Sequence, residues 1–340
     1  MKSFELNWYN ISRYRTEIMG FMCILVVLFH FRNALLYAAF LKPIKLFVEF
    51  GNIGVDIFLF VSGIGLYFSF VKSPKIIHFY VKRLIRIIIP YILLCVPYYV
   101  WLNLATERDF LILDLTQLSL PLKNMITTWY LPTTAVFYLL FPILFYLQKR
   151  KNNFLRLFVT GAICALWIFA MILMSRSHLA TIYKNCEIAL LRFPIFIVGC
   201  CFGKFVHEKH SIPAWILIPA TAYIAIYPFI YYKFGFTIFR ERISYIPLAI
   251  AISIVISFLF SLLPSNNPLF HFLRFFGVRS LEIYITHVLI NNVWIKTLGT
   301  NKYFDSNGTI DAIIIIILSI LISIIAHIII EKISNLLLKN

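Results

Sequence analysis

The stretch Arg15-Thr-Glu-Ile-Met-Gly-Phe-Met-Cys-Ile-Leu-Val-Val-Leu-Phe-His30 decides the class of this protein. Between Ile18 and Phe31 only Cys23 and His30 carry an ionisable group. A bilayer core is crossed by about 20 predominantly apolar residues in a helix, so residues 16–36 read as a first membrane span. The run is long, lacks a small-residue cleavage site and is followed by further apolar segments, which sets it apart from a cleaved signal peptide. An imidazole inside a bilayer is costly and points to function by default. The plainer alternative is a histidine bonded to a backbone carbonyl or a neighbouring helix, joining two spans.

The rest of the chain has the same character. Its 340 residues are 61% hydrophobic and 13% charged, with a mean hydropathy of +0.88. Soluble domains are nearer half apolar and a quarter charged. The net charge of +17 is assigned to basic cytoplasmic loops facing anionic membrane lipid, not to nucleic acid. The six cysteines lie in apolar segments with no metal or disulfide spacing and read as small core residues. Ten apolar segments follow one another, at 16–36, 51–70, 87–104, 129–147, 157–174, 186–203, 212–232, 245–263, 280–298 and 311–331. The expected fold is therefore all-α, a polytopic bundle of about ten transmembrane helices forming one domain over residues 1–340. Lys72, Lys75, Lys82, Arg83 and Arg86 in one loop, and Lys149, Arg150, Lys151 and Arg156 in another, mark the inner side. Both termini are then cytoplasmic.

That orientation gives depth to the polar residues. His30 follows Arg15 by 15 positions, about 22 Å along a helix, which puts it in the outer part of the membrane. Asp56 enters the second span from the outer side, in Gly51-Asn-Ile-Gly-Val-Asp56. A carboxylate and an imidazole at similar depth can pair, the carboxylate orienting the ring and leaving its other nitrogen as a general base. A carboxylate near the positive end of a helix is the simpler reading of Asp56. Glu187 and Arg192 enter the sixth span at comparable depth; they can pair with each other, or Arg192 can stabilise an oxyanion or an acidic sugar. On the inner side Arg83 and Arg86 are three apart and share a helix face. With Lys82 they make a phosphate clamp, or simply attract lipid headgroups. His287 lies about two turns inside the ninth span and contacts a ligand, Tyr284 or a carbonyl. His327 reads as structural, and His78, His178, His207, His210 and His271 as solvated. Outer-side Lys42, Lys45, Arg240 and Arg242 face either acidic sugars or anionic lipid. No phosphate loop, dinucleotide fingerprint or zinc spacing occurs.

Taken in order, these stretches resemble the acyltransferase 3 family of integral membrane acyltransferases, which includes polysaccharide O-acetyltransferases. The resemblance rests on the opening helix ending at His30, on Gly54-Val-Asp56-Ile-Phe58 with Ser62-Gly63, and on Arg83-Leu-Ile-Arg86 before Pro90. It continues through Trp129-Tyr-Leu with Phe137-Tyr138 and Pro142, Arg192-Phe-Pro-Ile-Phe196, and Ser280-Leu-Glu-Ile-Tyr284-Ile-Thr-His287. Two positions depart from the family pattern. Met19 stands where members often have an arginine, the nearest here being Arg15, and Thr134 and Ala135 fill a place where members often have a carboxylate.

The resemblance implies a ten-span enzyme moving an acyl group, usually acetyl, from a cytoplasmic thioester to a glycan or lipid-linked acceptor. It assigns acyl transfer to His30 and the donor to Arg83 and Arg86. Acetyl-CoA is the expected donor, held by Lys82, Arg83, Arg86 and Arg15; no metal is expected. Asp56 is expected to support His30, and Arg192, Trp129 and His287 to contact substrate. The expected setting is a bacterial cell membrane, with lipids and a glycan as partners and no nucleic acid. The rival reading is a transporter or flippase that uses His30 and Asp56 as a proton relay.

Overall fold

The computed structural model describes residues 6–36, 43–107, 109–125 and 127–338. Lys42 lies outside them. Among the described residues the chain is helical, and its only bridge of strand type joins Asn7 to Ser211.

Eleven helices carry the architecture. We label them α1 (Arg15–His30), α2 (Ile53–Lys72), α3 (Ile76–Ala105), α4 (Tyr130–Gln148), α5 (Asn153–Ser175), α6 (Ala180–His207), α7 (Ala214–Phe234), α8 (Ile238–Leu262), α9 (Pro268–Val278), α10 (Ser280–Leu298) and α11 (Thr309–Leu338). All ten sequence segments fall on helices. Eight of these helices are long and apolar enough to cross a membrane, the exceptions being α1, α9 and α10. α1 has 16 residues, after which Phe31 leads into a short helix, Arg32–Leu35. α10 has 19 residues but contains Glu282, His287, Asn291, Asn292 and Lys296. α3 starts eleven residues before the expected 87, so the basic segment 76–86 is the first part of the third helix and not a loop.

α2 is the central helix: 72% of its apolar window is buried, against 11% for α5 and α7 at the periphery. In a membrane, hydrocarbon on either side gives helices little hydrophobic reason to associate, so close packing has to do it. At the α2–α6 contact Gly63 and Gly199 supply that closeness. A Cβ on Gly63 would lie 2.6 Å from the Cys200 amide nitrogen, and one on Gly199 would strike the Phe60 carbonyl oxygen.

Prolines break two helices where polar groups are needed. Pro90 precedes a π-helical turn, Tyr91–Cys95, in the middle of α3. α6 is interrupted at Leu191 and Arg192, just before Pro194. Proline has no N–H, so the Leu190 carbonyl lacks its helical donor and the Trp167 indole takes it at 2.9 Å. The Arg192 amide bonds Ala189, and the freed Ile188 carbonyl accepts from the Arg192 guanidinium at 2.7 Å. Arg192 is thus fixed at a helix break, buried at 1% exposure.

Candidate active site

Near the Lys72–Arg86 end of the bundle, α1, α2, α3, α4, α9, α10 and α11 line a cavity of about 370 Å³. Arg83 and Arg86 reach it from one face of α3, as their spacing of three requires. Arg15 reaches it from the start of α1. Its guanidinium rests on Gly65, where a Cβ would lie 2.9 Å from Cζ and Nη1. Lys82, expected in the same clamp, does not line this cavity; it faces a neighbouring pocket that shares Arg83 and Arg86. Among the described residues the buried Nε atoms of Arg15 and Arg83 have no hydrogen-bond partner. Three guanidiniums around one space, two of them with an unused buried donor, are suited to a phosphate-bearing ligand.

The cavity extends toward the bundle centre, where Tyr130, Tyr138, Tyr284 and Ser62 line it. Tyr138 and Ser62 hydroxyls meet at 3.2 Å. Tyr284 packs against Tyr130 at 5.0 Å between ring centroids and against His287 at 5.6 Å. His287 in turn meets His30 edge to face at 4.8 Å. A continuous row of rings therefore joins the arginine cavity to His30.

The two imidazoles are held alike. His30 Nδ1 lies 2.8 Å from the Val26 carbonyl and His287 Nδ1 lies 2.9 Å from the Ile283 carbonyl. A carbonyl only accepts, so Nδ1 carries the proton in each, and in a neutral ring Nε2 carries the lone pair. His287 is buried with Nε2 unpartnered, whereas His30 is exposed. The pair sets an exposed histidine against a buried one.

The expected His30–Asp56 pair is not formed. Asp56, on the first turn of α2, is fully buried and its Oδ2 accepts from Arg192 Nε at 3.2 Å. Arg242, expected at the outer surface, is buried instead, 3.5 Å from Asp56 Oδ2 and 3.7 Å from Glu241 Oε1. Asn52 ties this group together, donating to Glu241 and accepting from the Tyr245 hydroxyl. Two arginines and two carboxylates thus neutralise one another, the condition under which ions survive in a membrane interior. A proton relay through a His30–Asp56 contact has no such contact to run through. Glu187 does not pair with Arg192; it accepts from Tyr183 at 3.1 Å. Arg192 does meet Trp129, its guanidinium lying over the indole at 4.9 Å.

One pair escaped the sequence reading. Glu282 and His327 both line the cavity, joined Oε1 to Nδ1 at 2.9 Å. Each is an ionisable group within an apolar helix, the same signal that singled out His30, but their partnership crosses 45 positions of sequence. Among the described residues no group of three or more His, Cys, Asp or Glu side chains converges as metal ligands do.

A family model for an acyltransferase domain, that of the acyltransferase 3 family, matches residues 20–328. No curated protein and no solved structure matches the chain. The matched region contains His30, Asp56, Arg83, Arg86, Trp129, Arg192 and His287, leaving only Arg15 of the cavity arginines outside it. The chain therefore belongs to the acyltransferase 3 family and is a multi-pass membrane acyltransferase.

Proposed function

We propose that this enzyme transfers acetyl from acetyl-CoA to a hydroxyl of a cell-surface polysaccharide or lipid-linked glycan. One observation carries the reading: Arg15, Arg83 and Arg86 ring a cavity whose wall includes Tyr284, and Tyr284 packs on His287, which packs on the exposed His30. The donor enters from the cytoplasm and its phosphates rest on the three arginines. A pantetheine arm on the order of 20 Å long matches the helical rise from Arg15 to His30. The nucleotide stays at the inner end while the thioester reaches the imidazoles.

His30 Nε2 removes the proton from the acceptor hydroxyl as its oxygen attacks the thioester carbonyl. The tetrahedral intermediate collapses with cleavage of the carbon–sulfur bond. The departing thiolate takes the proton from the His30 imidazolium, giving the acetyl ester and CoA thiol. Val26 holds the tautomer that leaves Nε2 available. Arg192 is assigned to the developing oxyanion, and Asp56 holds Arg192 in place rather than acting on the ring. Trp129, buried beneath Arg192, supports that guanidinium and does not line the cavity.

The test is CoA and acetyl-CoA binding to detergent-purified protein, alongside the Arg83→Ala/Arg86→Ala double variant. Saturable binding that the double variant loses supports the donor site; its absence in folded wild type refutes it. His30→Ala should bind CoA normally and abolish glycan acetylation in cells. Persistent acetylation in that variant removes His30 from the chemistry.

A further inference from the structure

Arg83 and Arg86 stand between two spaces, only one of which the transfer mechanism uses. The second is a pocket of about 740 Å³ on the other side of α3, lined by Lys72, His78, Lys82 and His207 together with those two arginines. The lining brings the end of α2, the start of α3 and the end of α6 together. Phe68, which also lines it, packs on the His207 ring at 5.0 Å between centroids.

The two spaces differ in charge. The acyl-transfer cavity sets Glu282 and Glu331 against its three arginines. The second pocket has four cations, two histidines and no carboxylate in its lining. Among the described residues none of Lys72, Lys82, Arg83 and Arg86 forms an ion pair, and the nearby Glu208 is already engaged by Lys204 and His210. Lys82 and Arg86, one helical turn apart, present the same face of α3 to this pocket. Lys82 is half-buried at the wall of this pocket. Uncompensated cations from two helices, sharing a wall with the donor cavity, suit a second phosphate on the ligand that occupies that cavity.

We propose that this pocket binds the 3′-phosphate of the CoA nucleotide, separately from the pyrophosphate on Arg15, Arg83 and Arg86. The inference rests on the acetyl-CoA reading and sharpens it. A phosphomonoester near −2 charge gains more from such a pocket than a diester does. The donor is then free CoA rather than a carrier-protein phosphopantetheine, which has no such phosphate.

The experiment compares CoA with dephospho-CoA binding to the full chain in phosphatidylcholine nanodiscs, for wild type and for Lys72→Ala/Lys82→Ala. Wild type should bind CoA about tenfold more tightly than dephospho-CoA, one charge-assisted contact's worth. The double variant should bind both with the wild-type affinity for dephospho-CoA, which also shows that it is folded. Equal wild-type affinities for the two overturn this proposal and leave the donor reading intact; no binding of either overturns both. If wild type binds the two equally and the lysines instead govern association with added phosphatidylglycerol, the pocket belongs to lipid headgroups and the nucleotide assignment falls.

Discussion

His30 can act as a base only if a nitrogen lone pair is available, and its bond to the Val26 carbonyl secures that without a carboxylate. The carboxylate expected beside it does other work. Removing Asp56 leaves Arg192 and Arg242 facing each other in a dry interior with only Glu241 to offset them. Stripping one partner from a buried ion pair typically costs roughly 3–5 kcal/mol. Asp56→Ala should therefore lower stability by about that much, seen as a large fall in melting temperature in detergent. A variant as stable as wild type but inactive would return Asp56 to the chemistry. Gly65 tests the cavity from the opposite side. In Gly65→Ala the new methyl displaces the Arg15 guanidinium, whose flexible end can yield without unfolding the chain. CoA affinity should fall several-fold with the melting temperature nearly unchanged; an unaltered titration would remove Arg15 from the donor site.

At the scale of the element, the α6 break matters most. Pro194 prevents a straight helix, and the break sets Arg192 between Trp129 and Asp56. Trp167 makes the break tolerable by donating to the orphaned Leu190 carbonyl. Trp167→Phe keeps the ring packing on Phe193 but leaves that carbonyl unpaired, at about 1–3 kcal/mol. The expected result is a moderate loss of thermal stability with CoA binding retained, because the cavity arginines lie on other helices. The proline was visible in the sequence as a break. Which side chains would take the freed carbonyls was not, because Trp167 comes from α5 and reaches α6 only through packing.

For the whole molecule, the arginine cavity must open to the cytoplasm if it takes a cytoplasmic thioester. The basic segments around Lys72–Arg86 and Lys149–Arg156 favour that side. Ten crossings bring both termini to it, provided that the short α1 with its continuation and the polar α10 both cross. Reporter fusions at residue 335 should be cytoplasmic, and cysteines placed at residue 240 should label from outside. A signal from the outer side of the membrane would reverse the bundle and place the cavity on the wrong side for CoA.

The helical class, the number of apolar segments and the family were all readable from the chain, because apolar length and motif order are local properties. His30, Arg83, Arg86 and Arg192 stood out in the sequence as candidates, since an ionisable group in or beside an apolar run contrasts with its neighbours. Pairings were not. Asp56 and His30 are close in sequence and similar in depth, yet helix rotation turns Asp56 toward Arg192 and Arg242 and gives His30 to His287. Arg242 looked like a surface charge and is buried; His327 looked structural and lines the cavity with Glu282. A hydropathy pattern specifies how deep a residue lies along its helix. Only packing, set by close contacts such as that of Gly63 with Gly199, decides which way each helix is turned, and hence which charges meet.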